Sequence, residues 1–121
     1  MTIVIGERIG PFELGMDEAA LAAAAGPPQS RLMQGRDTVL SWGLITARIP
    51  AGAMGTDEIT VNDTRYLTAA RLHVGSTDLA VEMQLGKPDK RSVASGLVTL
   101  DYSGISTVLR NGFVMQIRIH K

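Results

Sequence analysis

Cysteine is absent from the chain. That excludes disulfides, a thiolate nucleophile and Cys-ligated zinc, and it suits cytosol and periplasm alike. Neither sign of charge dominates, because twelve Lys and Arg balance twelve Asp and Glu. A balanced chain has no strong field to draw it to nucleic acid or to an anionic membrane. No apolar run approaches the length of a membrane-spanning helix. The opening MTIVIGERIGPF has neither a basic start nor a signal-peptide core, so a cytoplasmic protein is expected.

What is present is an ordinary globular composition, 45% hydrophobic over 121 residues. This is the size of one domain, or of two small halves sharing a core. Sliding the chain along itself by sixty residues brings identities together at structural punctuation. Gly15 meets Gly75, Gly26 meets Gly86 and Pro28 meets Pro88. Leu40 meets Leu100, Ile45 meets Ile105, and Trp42 falls opposite Tyr102. The expectation is an α+β fold of two tandem repeats, 1–61 and 62–121. Each repeat is a short helix packed on antiparallel strands, and the strands merge into one curved sheet.

The helices are set by their ends. Asp17 and Thr77 are N-caps for helices over about 17–25 and 77–85, since each side chain accepts from an orphan backbone N–H. Gly26 and Gly86 offer the left-handed residue that ends a helix, and the prolines after them block continuation. Leu79, Met83 and Leu85 give the second helix a bulky side expected to be buried, whereas the first is mostly alanine. Strands follow each helix. Leu40 and Trp42, then Ile45, Ala47 and Ile49, mark a core face in the first half. Leu97–Tyr102 alternates in the second, and RNG at 110–112 makes a hairpin from which Phe113, Met115, Ile117 and Ile119 return on the core face.

Catalytic signals are missing. His73 and His120 have no ligand-spaced neighbours, so no metal site is expected. Asp57, Glu58 and Asp63 do not match a calcium loop. GERIG at 6–10 lacks the ending of a phosphate loop, and no serine sits in a nucleophile elbow. Neither a cofactor nor an enzymatic activity is expected.

The string IGPFELGM, the pair Ala20-Leu21 and the turn Gly26-x-Pro28 resemble a bacterial pattern, and VGSTDLAVEMQLGKPDK at 74–90 repeats it. It is similar to the helix-then-sheet unit of the β-lactamase-inhibitor protein and the small outer-membrane assembly lipoproteins. In that superfamily a Leu-Gly-Met-Thr turn opens the helix and Leu-Gly-x-Pro closes it. Here Leu14-Gly15-Met16 is followed by Asp17, and Leu85-Gly86-Lys87-Pro88 keeps the closing motif. The resemblance implies a sheet face that binds another protein, as an inhibitor or immunity protein binds an enzyme or toxin. Residues alternating with the core set would supply that face: Arg48, Glu58, Asp101, Arg110, Gln116, Arg118 and His120. A small-molecule binder or enzyme using the groove between repeats, and a structural homodimer, are the competing expectations.

Overall fold

The structure, a computed structural model, describes residues 1–121. Three two-residue strands come first: β1 (Ile3–Val4), β2 (Arg8–Ile9) and β3 (Phe12–Glu13), paired antiparallel in that order. Next come α1 (Glu18–Ala25), β4 (Ser30–Gln34), β5 (Asp37–Ser41), β6 (Ile45–Ile49) and β7 (Glu58–Val61). The remainder is α2 (Asp78–Leu85), β8 (Lys90–Ala94), β9 (Leu97–Tyr102), β10 (Ile105–Arg110) and β11 (Phe113–His120). The fold is α+β. Strands β4 to β11 form one eight-stranded antiparallel sheet in the order β4-β5-β6-β7-β11-β10-β9-β8.

Both helices are capped as their sequences dictate. The Asp17 and Thr77 side chains accept from the backbone N–H of Ala20 and Ala80, at 2.8 and 3.1 Å. Gly26 and Gly86 follow the last helical residues at φ of 82° and 79°, a region that L side chains rarely adopt. At eight residues each, these helices depend on packing for their stability.

The period of two assigns the sheet's faces. Across the middle of the sheet, Leu40, Ala47, Ile59, Ile119, Ile105 and Tyr102 stand opposite one another on successive strands. All six are buried. This apolar row meets Leu21 of α1, Val81 of α2, Ile3, Ile9 and Phe12 of the small sheet, and Tyr66, Leu72 and Val74 from the link before α2. The Phe12 and Trp42 rings meet in an edge-to-face arrangement, with centroids 4.9 Å apart. One face of the large sheet is thereby covered by both helices and the N-terminal strands.

Two expectations need correction. Leu79 and Met83 are exposed, at 63% and 78%, and α2 buries Val81 completely while Leu85 lies part-buried against the core. Phe113 and Met115 do not face the core. The β10–β11 register shifts between Val108 and Leu109, so that Val108 opposes Gln116 and Leu109 opposes Val114. Met115 is the extra residue of a β-bulge, which turns Val114 inward and leaves Phe113 and Met115 out. The sheet also carries two outer strands without an apolar alternation to announce them. β4 reads SRLMQ and is exposed throughout, and β8 reads KRSVA and is mostly exposed.

Candidate functional site: the uncovered sheet face

The second face of the large sheet carries no helix. One row of it crosses all eight strands: Ser30, Ser41, Thr46, Thr60, Arg118, Ser106, Asp101 and Lys90. A parallel row holds Leu32, Val39, Arg48, Glu58 and His120. The alternation that buries Ile117 and Ile119 therefore sets Gln116, Arg118 and His120 on this side.

Three adjoining depressions run along the face. The first, about 510 Å³, is lined by Arg48, Glu58, His120 and Lys121 together with Gly15 and the Gly55–Asp57 loop. The second, about 230 Å³, shares Arg48 and Glu58 with the first and adds Thr46, Thr60, Gln116 and Arg118. The third, also about 230 Å³, shares Gln116 and Arg118 with the second and adds Thr99, Val108 and Met115. Shared walls make these one groove, with Arg118 at the junction of the second and third depressions.

Side-chain bonding orders the groove unevenly. Arg48 is committed: its Nε and Nη2 donate to the two oxygens of Asp57 at 3.0 and 2.7 Å. That fork raises the Arg48 pKa above its ordinary value, with nearby Glu58 and Asp37 adding to the effect. Asp101 is also engaged. The Ser106 hydroxyl donates to Asp101 Oδ1 at 2.6 Å, and its oxygen lies 3.0 Å from His120 Nε2. With the serine proton on the aspartate bond, His120 Nε2 is the donor to Ser106. This order is wrong for nucleophile activation, since a serine nucleophile must give its proton to the base. Ser106 is also 4% exposed, which closes it to a substrate. The trio ties β9, β10 and β11 together.

Arg118 is different. No ion pair and no side-chain hydrogen bond engages its guanidinium, and its Nε is sealed from solvent without a partner. Thr60 and Ser106 flank it on the neighbouring strands. Glu58 lies on the diagonal and forms no ion pair with it.

Of the seven residues expected on this face, five line the groove: Arg48, Glu58, Gln116, Arg118 and His120. Asp101 lies in the same row behind Ser106. Arg110 is exposed at the β10–β11 hairpin, away from the groove. Sequence reasoning missed Met115, because only the bulge turns it here, and Lys121, which follows the last strand. It also missed the approach of the Gly55 loop to Gly15. Gly15 N–H donates to the Thr56 carbonyl at 2.8 Å, and Thr56 N–H donates to the Met16 carbonyl at 2.9 Å. Nothing in either local sequence announces that pairing.

His73 belongs to a turn instead of a site. Its Nδ1 lies 2.9 Å from the Arg71 carbonyl and 3.2 Å from Ser76 Oγ. No group of three or more His, Cys, Asp or Glu side chains is arranged to hold a metal ion. No helix is long and apolar enough to cross a membrane.

No family model matches the chain, and no curated protein matches it. Similar solved structures exist. The uncharacterized protein YfeY from Escherichia coli superimposes with a TM-score of 0.64 at 15% identity, over 96% of this chain and 97% of that one. An extracellular SCP-domain protein from Bacillus anthracis gives 0.62 at 10% identity, over 89% of this chain and 44% of that one. The DUF4309 family protein YjgB from Bacillus subtilis gives 0.59 at 15% identity, over 86% of this chain and 77% of that one. At these identities the likeness is one of fold alone.

Proposed function

We propose that this protein is a non-catalytic binding module whose uncovered sheet face receives a partner protein, in the manner of an inhibitor or immunity protein. The observation that carries the reading is Arg118: a guanidinium with no bonding partner at the centre of a groove that runs along the one face no helix covers. Natural sheets commonly leave one face wet, but such faces rarely keep a part-buried arginine unbonded. Arginine is enriched among the residues that dominate interface energies. The middle of the groove, lined by Thr, Gln, Arg and Glu, offers bonding partners, and the Val108–Met115 end adds apolar wall, a mixture that fits a protein surface better than a drug-sized ligand. A cytoplasmic site of action is part of the same proposal.

The architecture is read in the same terms, as two tandem copies of one unit, 1–61 and 62–121, within a curved sheet. α1 and α2 start at residues 18 and 78 and end at 25 and 85. β4 and β8 start at 30 and 90, and β5 and β9 at 37 and 97. The strand order runs β4 to β7 from one edge and β8 to β11 from the other, meeting at β7 and β11. This arrangement supports the likeness to the β-lactamase-inhibitor superfamily, where a sheet face is the working surface.

The test is affinity capture from the native lysate with three baits: the wild type, Arg118→Glu, and Met83→Glu on the exposed side of α2. A stoichiometric protein held by the wild type and by Met83→Glu, and lost with Arg118→Glu, is the expected result. Equal capture by all three baits, or loss with Met83→Glu alone, would overturn the reading.

A further inference from the structure

We infer that the groove is built to take a carboxylate, supplied by an acidic side chain of the partner protein and seated on Arg118. This rests on the binding role proposed above for the same face and names the chemistry that role would use. Arg118 carries five donors, and none finds an acceptor within the protein. Its Nε alone is sealed, while the rest of the half-buried guanidinium stays open to the groove, where an acceptor can reach it.

None of the protein's own carboxylates is bonded to Arg118, and Glu58, the nearest across the strands, stands unpaired on the diagonal. Asp57 is held by Arg48 and Asp101 by Ser106. Arg118 therefore lacks an acid that its neighbours possess, and a partner can provide it. A carboxylate fits this gap better than a phosphate. Glu58 on the diagonal favours a monoanion, because a dianion would set a second negative charge beside it. Thr60 and Gln116, beside Arg118 in the groove, can donate to a carboxylate oxygen at its free lone pairs.

The test is a titration of the intact protein, labelled with ¹⁵N-arginine, followed through the Arg118 Nε–Hε resonance. The probes are the capped tripeptide Ac-Gly-Glu-Gly-NH2, its glutamine isostere, and inorganic phosphate. A saturable shift at Arg118 with the glutamate peptide is expected, at least tenfold weaker with the other two. Arg118→Lys keeps the charge and loses the planar fork, so its affinity for the glutamate peptide should fall about tenfold, read from backbone amides of β7 and β11. A response to the glutamate peptide no larger than to the glutamine peptide overturns the inference. So does a stronger response to phosphate. The two proposals fail separately. If Thr60→Arg, which fills the groove, abolishes partner capture while Arg118→Gln does not, the carboxylate inference fails and the face still binds. If neither variant affects capture, the binding face itself is wrong.

Discussion

Trp42 and Tyr102 close the two helices in the same way. The indole Nε1–H donates to the Gly26 carbonyl at 2.9 Å, and the Tyr102 hydroxyl donates to the Gly86 carbonyl at 2.9 Å. Each bond runs from a residue at the end of, or just past, a core strand to the residue that terminates the helix above it. Burial and a neighbouring Glu82 raise the Tyr102 pKa, which keeps the phenol a donor across the physiological range.

Removing either donor should therefore loosen a helix end without emptying the core. Tyr102→Phe is expected to cost about 0.5–1.5 kcal/mol, the net worth of one hydrogen bond. Trp42→Phe should cost more, because it also loses ring area against Phe12. Urea unfolding of both variants measures this, and a neutral Tyr102→Phe would show that the Gly86 bond does not hold the helix.

Apolar residues of similar appearance should divide sharply by face. Ile119 is fully buried in the sheet's central row, so Ile119→Ala should cost about 2–5 kcal/mol. Met83→Ala should stay within about 0.5 kcal/mol, since that side chain is 78% exposed. Thermal denaturation of the pair distinguishes this assignment from one in which α2 buries its methionine.

The turn before α1 depends on a glycine across from it. A Cβ at Gly55 would overlap the Gly15 carbonyl, which is backbone and cannot swing aside. Gly55→Ala is expected to destabilise by about 1–3 kcal/mol and to disturb the groove end lined by Thr56 and Asp57. Chemical-shift changes at Gly15, Met16 and Thr56 would locate the effect. An unperturbed spectrum would contradict the contact.

Asp63 should contribute an acid-sensitive share of stability. It is buried at 6% exposure and accepts from the Arg65 side chain at 2.6–3.0 Å and from its backbone N–H at 2.9 Å. The Arg65 side-chain bonds, then the backbone bond, lower its pKa from the ordinary value. The native state thus binds fewer protons than the unfolded chain in this window. The contribution is complete above the unfolded carboxylate value of about 4 and is lost as pH falls through the lower native value. Asp63→Asn should flatten that part of the stability–pH curve. An unchanged slope would remove Asp63 from the account.

The legible parts of this fold were those governed by single residues. Asp17, Thr77, Gly26 and Gly86 announce their caps because capping is local chemistry. The groove residues followed from alternation, since Ile117 and Ile119 inward require Gln116, Arg118 and His120 outward. Alternation failed at Met115, because a bulge depends on the pairing of two strands and leaves no mark in either sequence alone. The apolar residues of α2 misled for a related reason. A helix of two turns touches its sheet along a narrow line, and Val81 occupies it. Outer strands β4 and β8 escaped notice because neither buries a face. The bonding around Arg118 was beyond sequence, since it turns on side-chain geometry across neighbouring strands.

The central claim is that the uncovered sheet face is the binding surface. Hydroxyl-radical footprinting of the captured complex against the free protein tests it most directly. Met115 and His120 mark the groove, and Met54 and Met83 are exposed probes outside it. Partner binding is expected to protect Met115 and His120 and to leave Met54 and Met83 as reactive as before. Protection of Met83 or Met54 with Met115 and His120 unchanged would contradict the claim and move the interface to another side of the molecule.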